Sequence, residues 1–186
     1  MRRDPWGHLA RRFFGALRPG GPSGEDRAWV ESVLEPGEFA LWARQPGHDQ
    51  RHSAGVARQV EAALAGGPHA GDTRWPACAL LHDIGKLASG LSVPARVLAT
   101  LVGRATDGAV ADWEEHRGLL WGRRVKLPSR IALYLRHPEL GADMIQLAGG
   151  RAEVAHWAGA HHDRARLDTT LMPAPVVKAL VSADND

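Results

Sequence analysis

The sequence of 186 residues lacks the features that mark several common classes of protein. It has a single cysteine, Cys78, so no disulfide can form within the chain, as is usual in the reducing cytosol. No apolar run approaches the ~18 residues that a membrane-spanning helix needs. Arg11 and Arg12 interrupt what would be the apolar core of a secretory signal. We therefore expect a cytoplasmic protein without a transmembrane segment.

An excess of charge of one sign is also missing. The 23 Lys and Arg residues nearly balance the 21 Asp and Glu residues, which leaves a net charge of +2. A dedicated DNA-binding protein concentrates Lys and Arg on one face, so this balance argues against DNA-specific binding. The apolar fraction of 44% and the charged fraction of 24% are those of an ordinary globular protein. A chain of this length is expected to form one domain with a substantial core.

The sequence has little that would form a β-sheet. Beta-branched residues are few and no alternating apolar run has the length of a strand, whereas Ala, Leu, Arg and Glu dominate. The pattern from Glu25 onward therefore predicts an all-α fold, a helical bundle. The predicted helices cover residues 25–34, 38–45, 48–65, 73–83, 92–104, 107–116, 129–136, 139–148, 150–162 and 173–185.

An N-terminal arm over residues 1–24 precedes the helical domain at 25–186. Residues 4–17 (DPWGHLARRFFGAL) predict a short basic amphipathic helix, and residues 18–24 (RPGGPSG) predict a flexible linker. Such an arm either packs on the domain or extends loosely from it, or it contacts a partner or a membrane surface.

Side chains that bind metals recur between and at the ends of the predicted helices. Histidine is the commonest metal ligand, and aspartate is its natural anionic partner. The candidate ligands are His52, His82, Asp83, His137, His161, His162 and Asp184. Taken singly, each is explained as a hydrogen-bonded core histidine or as a polar residue at a helix end. Taken together, they could hold two divalent ions, which make a nucleophile from water without a Ser, Cys or Lys nucleophile.

The strongest local signal is the segment PACALLHDIGK, residues 76–86. Its apolar run ends abruptly at His82 and Asp83, and adjacent ionisable residues at the end of a buried helix are costly unless their charge is neutralised. A bound metal would neutralise it. Gly85 is expected to permit a sharp turn, and Cys78 is expected to be a small core residue.

In their order along the chain, these motifs resemble those of the HD-domain metal-dependent phosphohydrolases. The resemblance covers roughly residues 26–186. It is carried by HSxxVA at 52–57, HDIGK at 82–86, HPxxGA at 137–142, the His161-His162 pair and the late Ala-Asp at 183–184. The ligand pattern is most similar to that of the HD-GYP branch, whose members cleave cyclic di-nucleotides with two or three ions, often iron or manganese.

The resemblance implies a helical bundle that holds two divalent transition-metal ions, with iron or manganese expected. The ligands it implies are His52, His82, Asp83 and Asp184 for the first ion, and the bridging Asp83 with His137, His161 and His162 for the second. Lys86 would face the substrate phosphate and offset its developing charge. The implied reaction is attack of a metal-bridged hydroxide on a nucleotide or another small phosphate ester.

The segment after the histidine pair departs from the HD-GYP pattern. That pattern has a Glu and then an Asp-Gly-x-Gly-Tyr-Pro loop, whereas residues 163–168 of this chain read DRARLD. Because that loop shapes the substrate side of the pocket, the resemblance leaves the substrate open. Arg164 and Arg166 are candidates for binding its phosphate, since the guanidinium group suits that geometry. Three-ion members carry a Glu one turn before the first histidine; here that position is His48, which favours two ions.

Two other functions stay open at this point. Some HD-type proteins with di-iron sites are oxygenases that oxidise carbon, although they have fewer histidines than this chain. A non-catalytic regulatory module would bind a nucleotide or a metal and signal through the N-terminal arm. The complete ligand set and Lys86 favour hydrolysis over both.

Overall fold

The helical pattern is confirmed in the part of the chain that the structure, a computed structural model, describes: residues 20–106 and 127–185. The helices are α1 Gly24–Val33, α2 Pro36–Trp42, α3 Gly47–Leu64, α4 Arg74–Leu81, α5 Lys86–Ser89, α6 Val93–Ala105, α7 Leu127–Leu135, α8 His137–Leu147, α9 Ala152–Ala160 and α10 Ala174–Asp184. No strand occurs in these two ranges, so the all-α fold class is confirmed. The predicted helices at 4–17 and 107–116 lie outside the described residues. No helix within the described ranges is both long enough and apolar enough to span a bilayer.

Local signals account for several helix boundaries. Ser23 caps α1, because its Oγ accepts a hydrogen bond from the Asp26 amide at 3.0 Å. Glu35 and Glu38 form a capping box at the start of α2. The short helix α5 was not expected from the sequence; it ends at Gly90, whose φ of +56° is left-handed and favours glycine.

The described end of the predicted linker is attached to α3. The carbonyl oxygen of Gly20 accepts a hydrogen bond from Arg51 Nη1 at 2.6 Å. A Cβ on Gly47 would lie only 3.0 Å from that same oxygen, so glycine suits this close approach. The chain therefore enters the helical domain beside the first turns of α3.

Helix α4 forms the centre of the main core. All its residues from Trp75 to Leu81 are buried, as expected for a short helix that is apolar on every face. Helices α3, α9 and α10 pack around it. Cys78 is fully buried, which confirms its prediction as a core residue, and burial raises the pKa of its thiol. The end of α4 therefore brings His82 and Asp83 into the middle of the packed helices.

A smaller apolar cluster joins α6 and α7 beside this core. Leu91, Ala99 and Ile131 are its buried residues. Arg96, on α6, donates two hydrogen bonds to the Asp49 carboxylate, at 3.0 and 2.8 Å. Because Asp49 lies in the first turn of α3, this ion pair holds α6 against the helix that carries the first predicted ligand.

A buried ion pair connects α2 to the start of α9. Glu38 is fully buried, and Arg151 Nε lies 3.1 Å from each of its carboxylate oxygens. Arg151 also donates hydrogen bonds to the Val33 carbonyl and to Thr73 Oγ1, both at 3.0 Å. One guanidinium group therefore holds the ends of several core helices together.

Replacing Arg151 with alanine would leave the Glu38 carboxylate buried without its cation. We expect Arg151→Ala to lower the free energy of unfolding, measured by urea denaturation, by about 3–5 kcal/mol. The matched control is Arg166→Ala, because Arg166 is 52% exposed and pairs with the exposed Glu139. We expect that control to lose about 1 kcal/mol or less. Equal losses of unfolding free energy in the two variants would contradict the expectation that the buried pair contributes more to stability than the exposed one.

Candidate metal centre

The seven predicted ligands meet around the C-terminal end of α4. The ligating atoms of His52, His82 and Asp184 lie within 4.8 Å of one another, and we call this set the first group. Those of His137, His161 and His162 also lie within 4.8 Å of one another and form the second group. The groups are drawn from helices or helix ends that are far apart in sequence: α3, α4 and α10 for the first, and α8 and α9 for the second.

Asp83 lies between the two groups, with one oxygen towards each. Its Oδ2 is 3.3 Å from His82 Nε2, which belongs to the first group. Its Oδ1 is 3.3 Å from His137 Nε2 and 3.8 Å from His161 Nε2, which belong to the second. The Asp184 Oδ1 atom completes the contacts on the first side, at 3.4 Å from His82 Nε2. A single carboxylate therefore spans both groups, as a bridging ligand must.

Backbone hydrogen bonds set the orientation of three of the rings. His82 Nδ1 lies 2.8 Å from the Ala79 carbonyl oxygen, His137 Nδ1 lies 2.7 Å from that of Tyr134, and His161 Nδ1 lies 2.8 Å from that of Ala158. A carbonyl oxygen only accepts, so each Nδ1 carries the hydrogen and donates it. Nε2 of each ring therefore points at the carboxylates, with a lone pair where the ring is neutral and with a hydrogen where it is protonated.

These Nε2 atoms fit metal ions. Those of His82, His137 and His161 are buried and have no hydrogen-bond partner. They face carboxylate oxygens, which only accept, so each contact needs a proton or a metal ion between the two atoms. Imidazole and carboxylate ligands suit divalent transition metals, and a ring held by an Nδ1–H bond to a carbonyl is the usual arrangement of a ligating histidine.

The electrostatics of the site keep Asp83 ionised and His161 and His162 neutral, which are the forms that can bind a metal ion. Burial opposes the charged form of Asp83, but Lys86 and the neighbouring histidines outweigh it and hold the pKa of that carboxyl well below its usual range. Burial, aided by nearby imidazoles, lowers the pKa of His161 to about 3. Partial burial and the neighbouring His137 lower the pKa of His162 to about 4, although part of its side chain is exposed to solvent. Burial also opposes the charged form of His82, but Asp83 and Asp184 outweigh it and raise the pKa of His82. Ion binding must therefore release a proton from His82.

The two groups are brought together by a close approach of backbones. A Cβ on Gly85 would lie 2.0 Å from the His137 carbonyl oxygen and 2.6 Å from the Gly141 nitrogen, so only glycine fits. The predicted turn is present over residues 82–85, but it does not itself require glycine at position 85, whose φ of −62° is helical and open to any residue. The glycine is needed so that the turn after Asp83 can pack directly against the start of α8.

The predicted substrate-binding residues have different surroundings. Lys86 Nζ contacts Asp83 Oδ2 directly, and the lysine side chain is 18% exposed. Arg166 Nη1 pairs with Glu139 Oε1 at 2.8 Å, on the surface near the start of α8. The side chain of Arg164 lies outside what the structure describes. His48 is in neither group; its Nε2 lies 3.3 Å from Asp49 Oδ1.

Sequence reasoning missed Tyr134 as part of the site. Its carbonyl oxygen orients His137, and its ring centroid lies 5.6 Å from the centroid of the His137 ring. The same ring lies 6.0 Å from Lys86 Nζ. The available signal was its position three residues before His137, which is where Ala79 and Ala158 stand relative to their own histidines.

Comparison of the chain with protein-family models, with curated proteins and with solved structures finds no match. The functional interpretation therefore depends on the geometry of the two groups and of Asp83.

The Gly85 contact generates a test of the second group. We expect Gly85→Ala to push α8 and His137 away from Asp83, so that bound Mn²⁺, counted by elemental analysis after desalting, falls from about two ions per chain to about one. The control is Gly55→Ala, since Gly55 is exposed in α3 with no atom within 4 Å of an added Cβ. An unchanged count in Gly85→Ala would show that the close approach does not position the second group.

The low pKa of His161 predicts acid sensitivity of the chelator-treated protein. The folded-state pKa of about 3 lies below the ordinary value of 6.5, and the side chain is only 2% exposed. As the pH falls below about 6.5, the unfolded chain binds a proton here that the folded chain does not, so the free energy of unfolding decreases. Between pH 6 and 4.5, we expect the free energy of unfolding to fall with pH about 1.4 kcal/mol per pH unit more steeply in wild type than in His161→Gln. Parallel slopes in urea denaturation would show that His161 protonates freely in the fold.

Proposed function

We propose that the chain is a metal-dependent phosphohydrolase or phosphodiesterase of the HD-domain type. Its substrate class is a nucleotide or another small phosphate ester, and its cofactors are two divalent transition-metal ions, with iron or manganese expected. The single observation that carries the proposal is the position of Asp83, whose two oxygens face two separate groups of metal-type ligands. Such a bridge is the arrangement that two-metal hydrolases require.

The described residues divide into two sets of ligands. The set for the first ion is His52, His82, Asp184 and Asp83 Oδ2, and the set for the second is His137, His161, His162 and Asp83 Oδ1. When bound, the two ions supply an activated water nucleophile and neutralise charge that develops on the phosphoryl group. The three histidines of the second group favour hydrolysis over a di-iron oxygenase activity, because HD-type oxygenases have fewer histidines.

Some ligands of this arrangement are buried, and others are open to solvent. His82 and His137 are buried, and their Nδ1–H bonds prevent the rings from rotating. Asp184, by contrast, is 26% exposed, and His162 is exposed. Solvent therefore reaches Asp184 and His162, whereas the packed helices enclose His82 and His137.

Lys86 supplies a positive charge beside the bridging carboxylate. Its side chain is partly exposed, so its ammonium group is within reach of a bound phosphate ester. An ammonium group placed there would stabilise negative charge on the phosphoryl oxygens more strongly in the transition state than in the ground state.

Loss of the bridge should abolish hydrolysis. We expect chelator-treated wild type reloaded with Mn²⁺ to hydrolyse bis(4-nitrophenyl) phosphate or 4-nitrophenyl phosphate. We expect Asp83→Asn to lower kcat by at least about a hundredfold, because the amide cannot bridge two cations. Release of 4-nitrophenolate is the measurement, and the ratio of the two rates tells a diesterase from a monoesterase.

The matched control is Asp143→Asn, because Asp143 lies exposed on α8, the same helix that carries His137. We expect this variant to keep wild-type activity and metal content. Oxygen uptake by the iron-loaded protein, without turnover of either phosphate ester, would replace the proposal with the oxygenase. Bound ions without either activity would leave the regulatory module.

A further inference from the structure

The contact between Lys86 and Asp83 involves the oxygen that the first ion would need. Lys86 is the first residue of α5, three residues after Asp83, and its Nζ contacts Asp83 Oδ2. The same Oδ2 faces His82 Nε2 of the first group, whereas Oδ1 faces the second group. The ammonium group and an ion in the first group would therefore be neighbours on one carboxylate oxygen.

Two cations cannot share this oxygen at hydrogen-bond distance without strong repulsion, because the site is poorly solvated and screening is weak. Asp83 has only a 17% exposed side chain, so little water is available to separate the charges. An ion that enters the first group must displace the ammonium group from Oδ2. By linkage, the lysine must then weaken ion binding to the same extent that the ion weakens the lysine contact.

The structure also provides a place for the displaced ammonium group. Lys86 Nζ lies 6.0 Å from the centroid of the Tyr134 ring, at the limit of a cation–π contact. The ring is held in place, since its hydroxyl lies 3.3 Å from Thr100 Oγ1. Since the lysine chain is flexible, rotation about its bonds is expected to carry the charge from the carboxylate towards this ring.

We propose that Lys86 is a movable counter-ion: it neutralises Asp83 until an ion binds in the first group, and the ion then displaces it towards Tyr134, where it is available to a phosphate ester. This inference rests on the proposed function and adds regulation of the same site. It orders the events, with ions first and the substrate second. Phosphate then gains the lysine contact only in the ion-loaded protein.

The test compares the affinity of chelator-treated chains for Mn²⁺, with free Mn²⁺ measured by its electron paramagnetic resonance signal. We expect Lys86→Met to bind Mn²⁺ at least about fivefold more tightly than wild type, because the competing cation is gone. The control Lys178→Met removes an equal charge from an exposed position on α10, and its affinity should equal that of wild type. Weaker or unchanged binding in Lys86→Met would overturn the proposal, because the lysine would then hold Asp83 in place for the ion.

A second measurement uses only the wild-type chain, so it does not depend on how well a variant folds. Lysine acetylation by acetic anhydride is followed by mass spectrometry with and without Mn²⁺. We expect Mn²⁺ to increase the rate at Lys86 relative to Lys178, and an equal or lower relative rate would contradict displacement. If wild type binds no Mn²⁺, the proposed function fails together with this inference. If wild type binds two ions and Lys86→Met does not tighten binding, only the inference fails.

Discussion

A largely buried carboxylate that faces imidazole nitrogens on both sides is the constraint on which this structure depends. Asp83 lies about as close to His82 and His137 as two hydrogen-bonded groups would, at 3.3 Å each. The backbone carbonyls have already taken the Nδ1 hydrogens of these rings. Acceptors that face acceptors in a buried site repel unless a proton or another cation lies between them. The site is therefore organised around positive charge, which a proton on His82 and the ammonium group of Lys86 supply without a metal ion.

The rest of the fold can be understood as the support for that arrangement. Every residue of helix α4 from Trp75 to Leu81 is buried, so packing on all sides holds its C-terminal end, which Asp83 follows. Gly85 allows the following turn to touch the backbone of α8 at His137. The Glu38–Arg151 pair holds the start of α9, the helix whose C-terminal cap is His161. Each of these contacts lies away from the ligating atoms or is made by the backbone. Each holds in place a helix or turn that carries ligands.

The surroundings of the site bear on which substrates it could accept. The segment after His162 forms a short 3₁₀ turn at Arg164–Arg166, and Arg166 is paired with Glu139 of α8. Arg166 is held by a carboxylate outside the two groups, whereas Lys86 contacts Asp83 itself, so Lys86 is the better placed of the two for a phosphate bound beside the ligands. Tyr134, beside both Lys86 and His137, connects the lysine to the second group of ligands. Substrate recognition in the proposed enzyme would then depend more on α5 and α7 than on the segment after the histidine pair.

The all-α fold and the identity of the candidate ligands could be predicted from the sequence, because helix periodicity and the affinity of His and Asp for metals are local properties. At the level of the sequence, the division of those ligands into two groups rested only on the resemblance to a known family. What the sequence alone could not decide was how Asp83 directs its oxygens, why Gly85 must be glycine, or that Tyr134 lies beside Lys86. These features depend on which backbones touch across the core, since a spacing along one helix carries no information about the helix it packs against. Only the tertiary structure determines those distances.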